Sequence, residues 1–383
     1  MEKSLDRKLQ SIHADPSGSD DFILADAKDA DMAFGIGAPG LSPERHDGEL
    51  RQRTLAEYRE YVRSVVRQGV VDIMLMSAST SELLTIRERL FDGSPVTPAV
   101  RANDTTDIHL PRGGRSHLHA SRPFRTARID HIQCGHLDCE PAERSFGADL
   151  GLYSVTFNND LERDLATLEA FRTFREEAER KRFRYFLEVF APNVPDAVAA
   201  ETMPAFLNDL IARTLAGVPS AGRPLFLKIP YHGPRAMEEL VSYDPHLVVG
   251  VLGGSAGTTL DAFQLIHDAK KHGARAALFG RKINSAESQL AFIEFLRHIA
   301  DGVIEPTEAV RAYHAVLEKL GLRPHRSLEE DLTLQSNLTS YGGSDKPLAA
   351  KRSNNDMPPD FTRLTSQERA AYHRERLKHL FGS

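Results

Sequence analysis

Short apolar runs alternate with longer amphipathic stretches along most of this chain, and that rhythm predicts its architecture. The apolar runs are FILAD (22–26), VVDIMLMS (70–77), VTPAVRAN (96–103), DLGLYSVTF (149–157), FRYFLEVF (183–190), LFLKIP (225–230), LVVGVLGG (247–254) and RAALFG (275–280). Several are near-continuous hydrophobic strings rather than in-out alternations, as expected of parallel strands covered on both faces. The stretches between them carry helical spacing. TLAEYREYVRSVVRQG sets Leu55, Tyr58, Val62, Val65 and Val66 on one stripe and stops at Gly69. DAFQLIHDAKKHGA sets Phe263, Ile266 and Ala269 on another, after a predicted N-cap at Thr258 or Thr259. Its last turn holds Lys270, Lys271 and His272, where cations suit the helix dipole. Eight strands, most followed by a helix, within about 300 residues predict an α/β fold, a (β/α)8 TIM barrel. The barrel is expected over residues 21–322, preceded by an N-terminal arm at 1–20. The strand count and the lack of an early GxGxxG disfavour an open doubly wound sheet.

Two regions break the rhythm. Residues 104–147 form a polar, Arg- and His-rich insert after strand three, and loops of that length are uncommon unless functional. Leaving the C-terminal end of a strand, the insert is placed to act as a lid or specificity loop, with a packed surface loop or subunit contact as the alternative. Residues 323–383 read as a linker and C-terminal helical extension: 336–360 is polar, and SQERAAYHRERLKHLF makes a short helix with Ala370, Ala371, Leu377, Leu380 and Phe381 for docking. So short a helix is marginal alone and is expected to pack on its own barrel or on a neighbouring subunit, and a homo-oligomer is expected.

Composition narrows the function. The 383 residues are 41% hydrophobic and 27% charged, with a formal net charge of −6 and both signs interspersed. That balance gives no electrostatic footprint for nucleic acid or an anionic membrane. MEKSLDRKLQ lacks the apolar core of a signal peptide, no apolar run approaches the roughly 18 residues of a membrane span, and a cytoplasmic location is expected. Two cysteines, Cys134 and Cys139, rule out a disulfide framework.

In a barrel, residues at the C-terminal ends of the strands converge on one pocket. Those ends carry Asp26, Glu188, Lys228, Gly253-Gly254-Ser255 and Gly280-Arg281. Lys228, inside LFLKIP, is costly in a buried strand unless compensated, and Glu188, inside YFLEVF, is equally costly alone. Adjacent strands bring them together, as a structural ion pair or as an amine poised to attack a carbonyl. Asp26 is read as a third catalytic group or as a loop cap. Gly254, Ser255, Gly280 and Arg281 follow strands seven and eight, where barrels build phosphate sites from backbone N–H groups. Arg101 and Asn103, with Asp104 and Asp107, are candidates for contacting the far end of a substrate. CGHLDC, with His117, His119 and His131 nearby, raises the possibility of zinc, but its spacing fits no standard zinc pattern and no metal is expected.

The order KIPYHG, GVLGGS, ALFGRKIN resembles the C-terminal half of the class I aldolase superfamily that contains tagatose-bisphosphate aldolase and archaeal-type fructose-bisphosphate aldolases. The resemblance covers residues 20–300 in layout and 183–285 in motifs. It implies a metal-independent, cofactor-free aldolase acting on a phosphorylated ketose or keto substrate. Lys228 would be the Schiff-base lysine, Glu188 the proton shuttle and Asp26 the strand-one aspartate; Gly254, Ser255, Gly280 and Arg281 would hold phosphate. Three departures stand out: no lysine occurs in GLYSVTFNN of strand four, where Tyr153 or Asn158 is expected to face the pocket, GRK replaces GRN, and the 104–147 insert looks unlike either subfamily. A sugar-phosphate-binding barrel without catalysis, and a phosphosugar isomerase or epimerase using Glu188 as base, are the alternatives.

Overall fold

The computed structural model describes residues 2–41, 51–254 and 257–336. Residues 337–383, and so most of the predicted linker and the terminal helix, lie outside the described residues, as does Ser255.

Eight parallel strands close into a barrel: β1 (Ile23–Lys28), β2 (Ile73–Met76), β3 (Thr97–Arg101), β4 (Leu150–Thr156), β5 (Arg184–Phe190), β6 (Leu227–Ile229), β7 (Val249–Leu252) and β8 (Ala276–Phe279). They pair in chain order and β1 closes on β8, with Ile23 opposite Ala276. The (β/α)8 expectation holds, and all eight apolar runs are barrel strands. The principal helices are α1 (Ser4–Ala14), α2 (Leu55–Gln68), α3 (Leu161–Arg180), α4 (Met203–Ala216), α5 (Pro234–Tyr243), α6 (Thr259–Lys271), α7 (Gln289–Ala300) and α8 (Pro306–Lys319).

Local signals set the helix ends. Thr54 caps α2 through a reciprocal capping box with Glu57, and Gly69 ends it in the left-handed region at φ 70°. Tyr58, Val62, Val65 and Val66 are buried as their spacing predicts, but Leu55, on the first turn, is 40% exposed. Thr258 caps α6 with Asp261 in the same reciprocal arrangement.

The side-chain period of two splits every strand between two cores. Leu24, Met74, Met76, Val100, Val249, Val251 and Phe279 face outward and pack with helix residues such as Val62, Phe263 and Ile293. Ile23, Ala25, Ile73, Leu75, Ala99, Leu150, Leu152, Phe186, Phe226, Ala276 and Leu278 face inward and fill the barrel.

The N-terminal arm is a helix in that inner core. Leu5, Leu9 and Ile12, at i, i+4 and i+7, are buried against the inward residues and seal the N-terminal end of the barrel. Each such side chain contributes roughly 1.5–3 kcal/mol by leaving water. Polar contacts hold α1 in place. Lys3 Nζ donates to the carbonyls of Phe91, Ser94 and Val96 at 2.8–3.0 Å, and buried Lys8 meets Phe22 O and Asp72 Oδ2, both at 2.8 Å.

Candidate active site

The inward parity that fills the barrel with apolar side chains continues upward into polar ones. Above Ala99, Leu152, Phe186 and Phe226 stand Arg101, Ser154, Glu188 and Lys228 on four adjacent strands. Glu188 and Lys228 are register partners, as are Ser154 and Glu188. Lys228 Nζ forms an ion pair with Glu188 Oε1; Glu188 is 0% exposed and Lys228 6%. The other carboxylate oxygen, Oε2, accepts a hydrogen bond from Ser154 Oγ at 2.6 Å and lies 3.5 Å from Arg101 Nη2. Arg101 Nη1 donates to Ser154 Oγ at 3.0 Å, so the serine's own proton is directed at Glu188. Lys228 stands opposite Gly250 on β7, where a Cβ would fall 2.7 Å from Leu227 O and 2.8 Å from Ala276 Cβ.

Arg101 gathers two further carboxylates: Asp29 Oδ2 accepts from its Nε at 2.5 Å, and Asp104 Oδ1 lies 3.9 Å away. The cluster therefore holds two cations, Lys228 and Arg101, against three carboxylates, all buried. The excess falls on Asp104. Burial pushes its carboxyl up to about 6, Arg101 opposes the shift, and Asp29 adds to it.

The structure does not bring every predicted residue to this cluster. Asp26 shares the outward face of β1 with Leu24, and its register partners Met74 and Phe279 belong to the outer core. It forms a sealed pair with Lys28 at 3.0 Å, both 0% exposed; burial drives the carboxyl up and the ammonium down. The strand runs two residues past FILAD, and Asp29 is the strand-one carboxylate that reaches the cluster. Tyr153 faces outward and stacks on Phe174 at 4.3 Å between ring centroids, so it does not face the pocket; Ser154 occupies the inward position of β4. Asn103 is buried, but its amide extends the sheet beyond the end of β3: Nδ2 donates to Ser154 O at 2.8 Å and Oδ1 accepts from Ser154 N at 2.6 Å. Asn158 ties the insert down, accepting from Ser121 N at 2.8 Å and donating to Ser121 O at 3.2 Å.

The insert roofs the cluster. Its start pairs with its return path, Asp104–Thr105 against Pro123–Phe124. Between them Ile108, 0% exposed, packs on Phe190 at the top of β5 and Leu252 at the top of β7, the strands that flank Lys228. Asp107 fixes this span, accepting from Ser121 Oγ at 2.6 Å and from Thr156 Oγ1 at 3.1 Å. Asn193, after β5, donates to the carbonyls of His117 and His119. The lid expected from length and polarity is thus a strap pinned across the mouth. Its one buried apolar contact into the mouth, Ile108, gave no signal in a polar stretch.

The turns after β7 and β8 lie on the same face. Gly254 has φ +64°, and at Gly280 a Cβ would meet Ala27 O at 2.8 Å, so the chain passes β1 with no room for a side chain. Arg281 lies over the Phe34 ring at 5.9 Å. The N-terminus of α6 already serves this chain's own carboxylates, Thr258 N donating to Asp261 and Thr259 N to Asp331. Lys282 is turned to the β7–α6 turn, donating to Gly257 O at 2.7 Å, and burial brings its ammonium down to about 8. Among the described residues the cysteines gather with Glu143, and no histidine of the insert is in that group.

No family model and no curated protein matches the chain. Solved structures do. An archaeal fructose 1,6-bisphosphate aldolase superposes with a TM-score of 0.54 at 15% identity, covering 77% of this chain and 99% of its own. A structure described as a Schiff base forming fructose-1,6-bisphosphate aldolase gives 0.53 at 17% identity, covering 78% of this chain and 100% of its own. A Corynebacterium glutamicum structural-genomics target gives 0.51 at 16%, covering 78% of this chain and 98% of its own. No helix among the described residues is long and apolar enough to cross a membrane. This chain shares with the Schiff-base aldolases a closed (β/α)8 barrel that spans nearly the whole of theirs.

Proposed function

We propose that the protein is a class I aldolase that makes or breaks a carbon–carbon bond of a phosphorylated ketose through a Schiff base on Lys228. The observation that carries this reading is the buried Lys228 amine, held inside the barrel against Glu188, with Ile108 of the insert packed on Phe190 and Leu252 of the flanking strands. A lysine so placed reacts as a nucleophile once its proton is passed on, and its carboxylate partner is the acceptor in reach. The free amine adds to the substrate ketone. Glu188 then returns the proton to the carbinolamine hydroxyl, which leaves as water and gives the iminium. That cation draws in the electrons of the adjacent carbon–carbon bond as the neighbouring hydroxyl loses its proton, leaving an enamine and an aldehyde.

The base for that hydroxyl is assigned to Asp104 or Asp29 rather than to Asp26, whose carboxyl is sealed behind β1. Asp104 suits proton transfer near neutrality, with its carboxyl at about 6. Arg101 and Ser154 hold Glu188 in line and are positioning residues. The phosphate is assigned to Arg281 and the backbone of Gly254 and Gly280, with Ser255 as the further candidate from the sequence, and remote binding energy there would set the carbonyl over Lys228. The aldolase structures of similar fold are described with fructose 1,6-bisphosphate, and one with its catalytic lysine bound to a carbinolamine, which supports a ketose bisphosphate as the first substrate to try.

Borohydride reduction with candidate ketose phosphates tests this. The expected result is a mass adduct on Lys228 and release of a three-carbon ketone phosphate. An adduct on Lys28 or Lys282 instead would remove the mechanism. Solvent deuterium entering the sugar without bond cleavage would assign the site to an isomerase or epimerase.

A further inference from the structure

The insert that roofs the barrel carries a second cluster, on its return path to β4, that the proposed chemistry does not use. Cys134 ends the helix Ile129–Cys134, and the chain then turns twice through left-handed residues, Gly135 at φ +87° and Asp138 at +56°. Those turns bring Cys139 back beside Cys134, and the next turn adds Glu143. The two sulfurs and a Glu143 carboxylate oxygen all lie within 4.8 Å of one another. Both cysteines are unpaired and only 7% exposed. His136 lies at the rim, its Nε2 3.4 Å from Glu143 Oε1.

We propose that Cys134, Cys139, Glu143 and His136 form a structural zinc site that holds the return leg of the strap together.

Three features support four ligands rather than a chance gathering. The donor set is two thiolates, one imidazole and one carboxylate, which suits the tetrahedral preference and borderline softness of Zn2+ and does not suit Mg2+ or Ca2+. The outer contacts already orient the ligands. His136 Nδ1 pairs with Leu137 O at 2.8 Å, which leaves Nε2 as the ring nitrogen with a lone pair, and Glu143 Oε2 is held by Glu140 N at 2.9 Å, leaving Oε1 toward His136. There is also a way in: the cysteines lie inside while the His136 side chain is 55% exposed and that of Glu143 30%. The fragment it would clip has little else to order it. Ile129 and Ile132 anchor the short helix in the outer core, and Gly147 N donates to Gln133 O just before β4. Between those anchors the chain is turns, and a metal closing residues 134 to 143 supplies a core that ten residues cannot.

The test uses the full chain and Zn2+ itself. After incubation with Zn2+ and dialysis under reducing conditions, elemental analysis is expected to find one zinc per chain. Co2+ in its place is expected to give thiolate-to-cobalt charge transfer in the near ultraviolet and intense tetrahedral bands in the visible. Cys134→Ser with Cys139→Ser should abolish both. Because that pair of substitutions alters buried residues, His136→Gln and Glu143→Gln, at the rim, serve as the second arm. Each removes a direct ligand and should weaken zinc binding by at least about tenfold, the low end of what losing even an outer partner costs, with the circular dichroism unchanged. Less than a tenth of an equivalent of zinc in the wild-type protein overturns the proposal. So does equal zinc in the cysteine double variant, or a Cys134–Cys139 disulfide that persists under the reducing conditions.

Discussion

Replacing Lys228 by Met tests whether the amine and Glu188 are a closed buried pair. The substitution keeps length and apolar stem but removes the charge, leaving Glu188, 0% exposed, with only Ser154 and Arg101 as partners. Breaking a buried pair from one side typically costs about 3–5 kcal/mol, because the surviving charge stays desolvated. Here the loss has a ceiling, since the carboxylate can take up a proton. A glutamic acid of the unfolded chain ionises near 4.3, so carrying it protonated into the fold at pH 7 costs about 2.7 × 1.36, or about 3.7 kcal/mol. The contacts to Ser154 and Arg101 keep the carboxylate partly supported and bring the expected loss to about 2–3 kcal/mol. At pH 5 the same ceiling is only about 1 kcal/mol. With an unfolding entropy near 0.7 kcal/mol/K for a barrel of roughly 330 residues, the deficit in Tm is about 3–4 °C at pH 7 and about 1 °C at pH 5. The sign follows from linkage: the stranded carboxyl binds its proton more tightly folded than unfolded, so acid restores stability. Differential scanning calorimetry of wild type and variant across pH 5–8 measures this. Adding Glu188→Leu should recover most of the loss while leaving the protein without aldolase activity. A deficit that is flat with pH, or larger at pH 5, would show that Glu188 is not an isolated buried charge, and the geometry described for the pair would be wrong.

Three other outcomes are expected. Asp104→Asn removes a carboxyl that burial raises to about 6, so the variant gains stability, up to about 3 kcal/mol, above pH 6 and none near pH 4, where the wild-type carboxyl is already protonated; calorimetry at the two pH values separates this from a general packing effect. Ile108→Ala empties the contact with Phe190 and Leu252, costs about 2–4 kcal/mol, and should speed hydrogen exchange at the backbone amides of residues 104–125 while leaving α1 protected; uniform protection would contradict the strap. Gly280→Ala sets a methyl 2.8 Å from Ala27 O and should raise KM for a phosphorylated substrate more than for its dephosphorylated counterpart, and an equal effect on both would remove Gly280 from the phosphate subsite.

How far the sequence could be read depended on which physical signal each feature leaves. The barrel was legible because parallel strands buried on both faces must be apolar throughout, and all eight runs from FILAD to RAALFG lie in strands. Glu188 and Lys228 were legible for the opposite reason, as charges embedded in such runs. What escaped was parity. FILAD stops at Asp26, yet β1 continues to Lys28, which turns Asp26 outward and lets Asp29 reach Arg101. The same one-residue issue separates Tyr153 from Ser154 on β4: an aromatic next to a small hydroxyl shows its facing only when the register with Glu188 is known. The N-terminal helix carries its signal openly, Leu5, Leu9 and Ile12 at helical spacing, but an amphipathic helix does not say which surface it covers. The strap's path is a tertiary matter, decided by Asp107 accepting from Thr156 and by Asn158 and Asn193 reaching across dozens of residues.

Because α1 stoppers the far end of the barrel, the doorway to Lys228 is the mouth, the end that the strap crosses. On the proposed chemistry this orders the traffic. When a ketose is cleaved, the aldehyde fragment must depart through that doorway while the ketone fragment is still bonded to the lysine; in the condensing direction the aldehyde arrives last. The covalent bond to Lys228 sets which fragment leaves first, and the plugged floor sends both fragments through the same end of the barrel in turn.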